Sequence, residues 1–224
     1  MDYYEKMIKI APSMLSTDFG NLNTEIDRLK EAGADLLHLD IMDGVFVGNI
    51  SFGFPIVEAI IHKSNLPVDI HLMITHALMY APRFWALNPV KGSRITIHTK
   101  NCPDIMLSAQ TLKNLSIPFG IAYNPEENLP YIDRLIEICN HFLVMSVHPG
   151  FGAQSFIKGS EQKVAEIKNL AQKSGRDISV AVDGGINFET GKMVINNGAN
   201  ELVVGSFLFK SQNYKKTISH FKSL

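Results

Sequence analysis

A short apolar run followed by a longer stretch with helical spacing recurs eight times along the chain. The apolar runs predict strands over Ile8–Ala11, Leu36–Ile41, Val68–Met73, Ile95–His98, Phe119–Tyr123, Phe142–Val147, Ile178–Val182 and Leu202–Val204. A segment able to form a helix follows each, most clearly Leu22–Ala32, Ile105–Leu115, Ile132–Cys139, Val164–Lys173, Glu189–Asn197 and Tyr214–Phe221. Breakers agree: Gly33 and Gly198 stand where helices end, Asn187 can cap a helix, and Pro103 and Pro130 stand where helices begin. Strand–helix alternation favours a parallel sheet, and eight such units can close on themselves. An open, doubly wound sheet would normally carry a glycine-rich turn after its first strand, whereas this chain reads Pro12-Ser13-Met14-Leu15-Ser16 there. The expected fold is therefore α/β, a single (β/α)8 TIM barrel filling residues 1–224 as one domain.

The charge balance narrows the function. There are 21 basic and 22 acidic side chains, a net charge of −1. That balance offers no surface for nucleic acid or membrane, so binding must come from a local site. No apolar run reaches membrane-spanning length, and the N-terminal Met1-Asp2-Tyr3-Tyr4-Glu5-Lys6 is charged, without an apolar signal region. Cys102 and Cys139 lack metal-type spacing and read as two free thiols, in the core or near the surface, in a reducing compartment. Together these point to a cytoplasmic enzyme.

In such a barrel, reactive side chains lie late in strands or in the loops just past them. The densest candidate segment is Leu36-Leu37-His38-Leu39-Asp40-Ile41-Met42-Asp43-Gly44. Side chains alternate along a strand, so His38, Asp40 and Met42 share a face, which looks inward if Leu37, Leu39 and Ile41 pack against helices. A histidine and a carboxylate inside an apolar barrel need partners. His71 and Met73 share a face of the next strand, and Asp183 ends the seventh. Two imidazoles and two carboxylates at one end of a barrel suit a divalent cation, zinc first, with iron, cobalt or manganese also compatible. Spacing alone equally allows a metal-free network of His–Asp hydrogen bonds.

Glycines mark a second feature. Ser146-Val147-His148-Pro149-Gly150-Phe151-Gly152-Ala153-Gln154 follows the sixth strand, Gly184-Gly185 the seventh, and Gly205-Ser206 the eighth. Such runs let backbone N–H groups approach an anion, and three of them on adjacent strand ends favour a phosphate over ordinary turns. None contains Lys or Arg, so amides and dipoles would hold the charge. Met14, Met42, Met73 and Met145 each sit near a strand end and could form a polarisable, non-basic ceiling over a reactive intermediate. His62, His76, His141 and His220 read as surface residues, and His98 as a possible cavity residue without a partner motif. Trp85 and Phe84 read as helix packing.

These stretches, with Ala11–Phe19, Asn49–Gly53, Asn124-Pro125, Val182–Asn187 and Gly198–Asn200, closely resemble the ribulose-phosphate 3-epimerase family, which includes the allulose-6-phosphate 3-epimerases. The resemblance runs nearly end to end. It implies a barrel of the ribulose-phosphate-binding type with one divalent metal per subunit, held by His38, Asp40, His71 and Asp183. It implies that Asp40 and Asp183 are the acid–base pair, moving a proton through a metal-stabilised enediolate to interconvert D-ribulose 5-phosphate and D-xylulose 5-phosphate. Ser13, His71 and the methionines Met42, Met73 and Met145 would meet the sugar. Gly150, Phe151, Gly152 and Ala153, with Gly184, Gly185, Gly205 and Ser206, would meet the phosphate. The resemblance also implies a homo-oligomer. The alternatives are the same chemistry on D-allulose 6-phosphate, another phosphate-binding barrel enzyme, and a non-catalytic sugar-phosphate binding protein. The chain departs from the family pattern at Ala153, where a glycine is usual, at Gly48, where a proline is usual, and across Pro82–Arg94.

Overall fold

The computed structural model describes residues 8–224; the charged N-terminal segment read above for a signal region lies outside the described residues. Among the described residues there are eight strands: β1 (Lys9–Pro12), β2 (Leu37–Met42), β3 (Val68–Met73), β4 (Arg94–His98), β5 (Phe119–Tyr123), β6 (His141–Met145), β7 (Ser179–Asp183) and β8 (Glu201–Val204). They form one sheet in the order β1-β8-β7-β6-β5-β4-β3-β2. Every pairing is parallel, and a parallel bridge from Ser13 to His38 brings the end of β1 against β2. The sheet is thus a nearly closed barrel, not the open alternative.

Helices lie between the strands: α1 (Leu22–Glu31), α2 (Phe54–Ser64), α3 (Ala77–Trp85), α4 (Ile105–Asn114), α5 (Ile132–Leu135), α6 (Ser160–Ser174), α7 (Phe188–Asn196), α8 (Ser206–Phe209) and α9 (Tyr214–Lys222). Asn187 caps α7 by accepting from the backbone N–H groups of Glu189 and Thr190, as its residue type predicts. Gly33 and Gly198 take positive φ of 86° and 104° past the ends of α1 and α7. The helix expected over Ile132–Cys139 is shorter, a single turn continued by non-helical turns. Among the described residues, no helix is long and apolar enough to cross a membrane.

Strand alternation sorts the core into two layers. Leu37, Leu39, Ile70, Leu72, Ile95 and Ile97 point outward and are fully buried against the helical shell. Each such side chain contributes about 1.5–3 kcal/mol on leaving water. The opposite parity points into the barrel, where a smaller set (Ala11, Ala122, Leu143, Ala181 and Val203 among them) fills the middle. The inward positions above and below that set are largely polar, and they carry the chemistry. Cys102 and Cys139 are free, and of the two placements expected both take the buried one.

Candidate active site

The site rests on a charged floor. Asp69 begins the inward face of β3 and is fully buried. A bare carboxylate there would be very costly. Arg94 of β4 pairs with it at 2.9 Å and also pairs with the fully buried Glu201 of β8. Thr96 Oγ1 donates to Asp69 at 2.6 Å, and His141 of β6 lies 3.7 Å from the same carboxyl. Burial works against the ionised Asp69, but Arg94 and then His38 outweigh it and hold its pKa well below the carboxylate range. His141 is therefore not a surface residue. Strand β6 begins one position earlier than the apolar run suggested, which turns this imidazole into the barrel. Burial, with Arg94 beside it, keeps its pKa well below the usual histidine value. Asp69, His141 and Glu201 come close enough to hold a cation, but the Arg94 guanidinium already pairs with both acids there.

One layer higher, four side chains from three strands converge. One ligand-capable atom from each of His38, Asp40, His71 and Asp183 lies within 4.8 Å of the others. His38 Nε2 is 3.1 Å from His71 Nδ1, 3.3 Å from Asp40 Oδ1 and 3.7 Å from Asp183 Oδ2. His71 Nδ1 is 3.1 Å from Asp40 Oδ1. Ligands about 2.0–2.2 Å from one tetrahedral ion stand about 3.3–3.6 Å apart. The observed separations match that spacing, so the cluster could hold a metal ion. On the far side of His38, Nδ1 faces Asp69 Oδ2 at 3.4 Å, the kind of outer carboxylate that orients a ligating imidazole. Ser13 Oγ donates to Asp40 Oδ2 at 2.7 Å.

The two aspartates sit in unlike environments. Burial opposes ionisation of Asp40, but His38 and then His71 more than offset it and hold its pKa far below 3.8. Asp183 ends β7 with fewer stabilising partners. Burial, then repulsion from Asp40, pushes its pKa from 3.8 up to about 6. Near neutral pH one carboxylate is firmly ionised and the other is near its titration point, the pattern of an acid–base pair. His38 is raised well above 6.5, because Asp40 and Asp69 outweigh the effect of its burial.

Above the cluster opens a cavity of about 290 Å³, lined by Ser13, Asp40, Asp183 and the three methionines Met42, Met73 and Met145. Met14 does not join them; it is wholly buried in the shell between strands and helices. The cavity also reaches Gly150, Phe151, Gly152 and Ala153, as well as Gly184, Gly185, Gly205 and Ser206. All three glycine runs therefore meet at one rim. Their shape is fixed by close packing. A Cβ on Gly185 would meet the Phe156 backbone nitrogen at 2.5 Å, and φ there is +62°. Gln154 Nε2 donates to the carbonyls of His148 and Phe151, while Asn49 Nδ2 ties the loop after β2 to Gly150 O at 2.8 Å. Ser146 Oγ donates to the carbonyls of Asp183 and Gly184 and clamps the end of β7.

Three groups at or beside the site escaped the sequence reading, and a fourth, His98, was expected only as a possible cavity residue without a partner. Lys210, just past α8, lines the cavity and brings a cation that the glycine runs lack. Ser16 also lines it. Asp43 accepts from the backbone N–H groups of Val45, Phe46 and Thr75 and from the Thr75 hydroxyl, fixing the loop after β2. Those bonds work against its partial burial and lower its pKa to about 2. His98 ends β4 fully buried, with Nε2 2.7 Å from His71 Nε2. Its pKa lies well below 6.5, through burial and then His71.

Fold and cavity together define a (β/α)8-barrel enzyme with two carboxylates and two imidazoles at the C-terminal end of its strands. The family described as "Ribulose-phosphate 3 epimerase family" matches residues 9–209. The chain belongs to that family, and so to the isomerases. It is 39% identical over 217 residues to the ribulose-phosphate 3-epimerase of Bacillus subtilis, covering 96% of this chain and 99% of the relative. To the ribulose-phosphate 3-epimerase of Escherichia coli K12 it is 34% identical over 219 residues, covering 97% and 96%. KGPDC from Streptococcus mutans superposes with a TM-score of 0.69 over 97% of this chain and 96% of that one; at 10% identity this likeness shows the fold alone.

Proposed function

We propose that this chain is a metal-dependent 3-epimerase, working as one barrel domain, that interconverts D-ribulose 5-phosphate and D-xylulose 5-phosphate. The observation that carries the reading is the convergence of His38, Asp40, His71 and Asp183 within 4.8 Å, directly beneath a cavity rimmed by three glycine runs. Those four residues would hold the cation, with zinc the first choice for a donor set of two imidazoles and two carboxylates. When bound, the cation would supply Lewis-acid stabilisation of the negative charge that develops as carbon 3 loses its proton.

The chain's own groups do the rest. Inverting carbon 3 requires one group to remove its proton from one face and a second to return a proton to the other. Ionised Asp40 suits the first task and protonated Asp183 the second; the reverse reaction exchanges their roles. Ser13, bonded to Asp40 Oδ2, holds that carboxylate in place and can reach the sugar. The methionine side chains of residues 42, 73 and 145 exclude water without competing for the proton. Backbone N–H groups from Gly150 to Ala153 and at Gly184, Gly185, Gly205 and Ser206 would bind the phosphate, with Lys210 adding a positive charge.

The test is turnover of D-ribulose 5-phosphate and D-allulose 6-phosphate, with metal analysis of the same sample. The pentulose phosphate should be preferred, and Asp40→Asn should remove nearly all turnover while leaving the fold intact. Preference for the hexulose phosphate would move the assignment to that substrate. Full activity after chelation, with no metal detected, would overturn the metal requirement.

A further inference from the structure

An imidazole that gives Nδ1 to a cation keeps its proton on Nε2, and that N–H needs a fixed acceptor if the ring is to stay in register. For His38 the far nitrogen faces Asp69. For His71, the only hydrogen-bond partner of Nε2 among the described residues is another imidazole, His98 Nε2, at 2.7 Å. The two rings are nearly parallel, 21° apart, and Phe46 covers His98 with a centroid separation of 5.2 Å. His98 has no access to solvent. Among the described residues its remaining nitrogen, Nδ1, and the buried Oδ1 of Asn124 have no other partner, and the Asn124 side chain stands within hydrogen-bonding influence of His98. A buried donor and a buried acceptor thus lie side by side, each without another partner.

We propose that His98 is a positioning residue for metal ligation: it accepts the Nε2–H of His71, leaving His71 Nδ1 unprotonated toward the cation, and donates its own Nδ1–H to Asn124. The inference rests on the metal reading above. With the 2.7 Å bond reversed, His98 donates instead, and the His71 proton moves to Nδ1, facing Asp40 Oδ1 at 3.1 Å. That second arrangement suits the metal-free protein. An imidazole at position 98 serves both states because its Nε2 can donate or accept, whereas a carboxylate could only accept.

The experiment is zinc affinity of the purified protein, measured by competition with a chromophoric chelator. It is paired with the visible spectrum of the cobalt-loaded protein and with thermal unfolding of the metal-free form. His98→Phe keeps a ring and removes both nitrogens. It should weaken zinc binding about 10- to 100-fold, the usual effect of losing an outer-sphere partner, and change the cobalt spectrum. His98→Gln retains an acceptor and should recover most of the loss. The metal-free variants should unfold close to the wild type. If His98→Phe does not fold, Asn124→Leu carries the test, since it leaves both imidazoles in place and should still weaken zinc binding. Wild-type affinity in His98→Phe, or in Asn124→Leu where that variant is needed, overturns the proposal. A wild-type protein that binds no zinc or cobalt overturns the metal reading itself, a different failure.

Discussion

Replacing Asp183 by Asn should make the metal-free protein more stable while destroying turnover. The Asp183 side chain is 16% exposed, and its carboxyl is pushed from 3.8 up to about 6 by burial and by Asp40. At about 1.4 kcal/mol per pH unit, holding it ionised in the folded state costs about 3 kcal/mol. Because the folded-state pKa lies above the unfolded one, folding favours the protonated form. The wild type is spared this cost below about pH 4 and bears it fully once pH has risen through 6. Asn has the same shape and no charge. Metal-free Asp183→Asn should therefore exceed the wild type by about 2–3 kcal/mol at pH 8, and by only about 0.5 kcal/mol at pH 4. For a chain of this length the gain at pH 8 corresponds to roughly 4–12 °C in melting temperature. Urea unfolding with chelator present, at both pH values, measures it. Adding zinc should reverse the order, because the wild type binds the ion more tightly. A variant no more stable than the wild type at pH 8, or a gain that does not shrink at pH 4, would refute the reasoning.

Arg94→Met removes the only cation bonded to both Asp69 and Glu201 among the described residues. Leaving those acids buried without a counter-charge should cost about 3–5 kcal/mol at pH 7, read as a lower urea midpoint; a loss under about 1 kcal/mol contradicts the account of the floor. Two left-handed positions on the rim should respond in opposite ways. Ala153 has φ of +58°, so Ala153→Gly should stabilise the protein by about 0.5–1 kcal/mol and lower KM for the sugar phosphate. Gly185→Ala would drive a methyl into the Phe156 backbone and should raise KM sharply and destabilise the fold. Equal tolerance of the two changes, in denaturant midpoint and KM, would show that the rim is softer than its packing implies.

The barrel was legible because each strand announces itself locally, by an apolar run bounded by a helix and a breaker. Parity then placed His38, Asp40, His71 and Asp183 inside, since His38 and Asp40 are two residues apart and the outward residues between them are apolar. The same parity put Asp69 inward beside His71, but its partners come from β4, β6 and β8. Which inward residues share a level depends on the stagger between strands, and no local window records that. His141 was misread for a simpler reason. It follows Asn140 at the strand's edge, and moving the boundary by one residue exchanges solvent for the barrel interior. Met14 fails similarly, because proximity to a strand end does not fix direction once the chain enters a short 3-10 turn at Met14–Ser16. The left-handed backbone at Ala153 is invisible in a residue that rarely adopts it.

Arg94 also bears on how the molecule is made. Its two acidic partners are Asp69, on the strand before it, and Glu201, 107 residues later on the last strand. During synthesis the guanidinium can meet Asp69 almost at once, but its second anion leaves the ribosome 107 residues later. A half-barrel ending after β4 would leave the guanidinium with only one of its two acids, and one beginning at β5 would carry a stranded carboxylate. The electrostatics of the floor thus bind the first half of the chain to the last strand, and they discourage either half from settling alone.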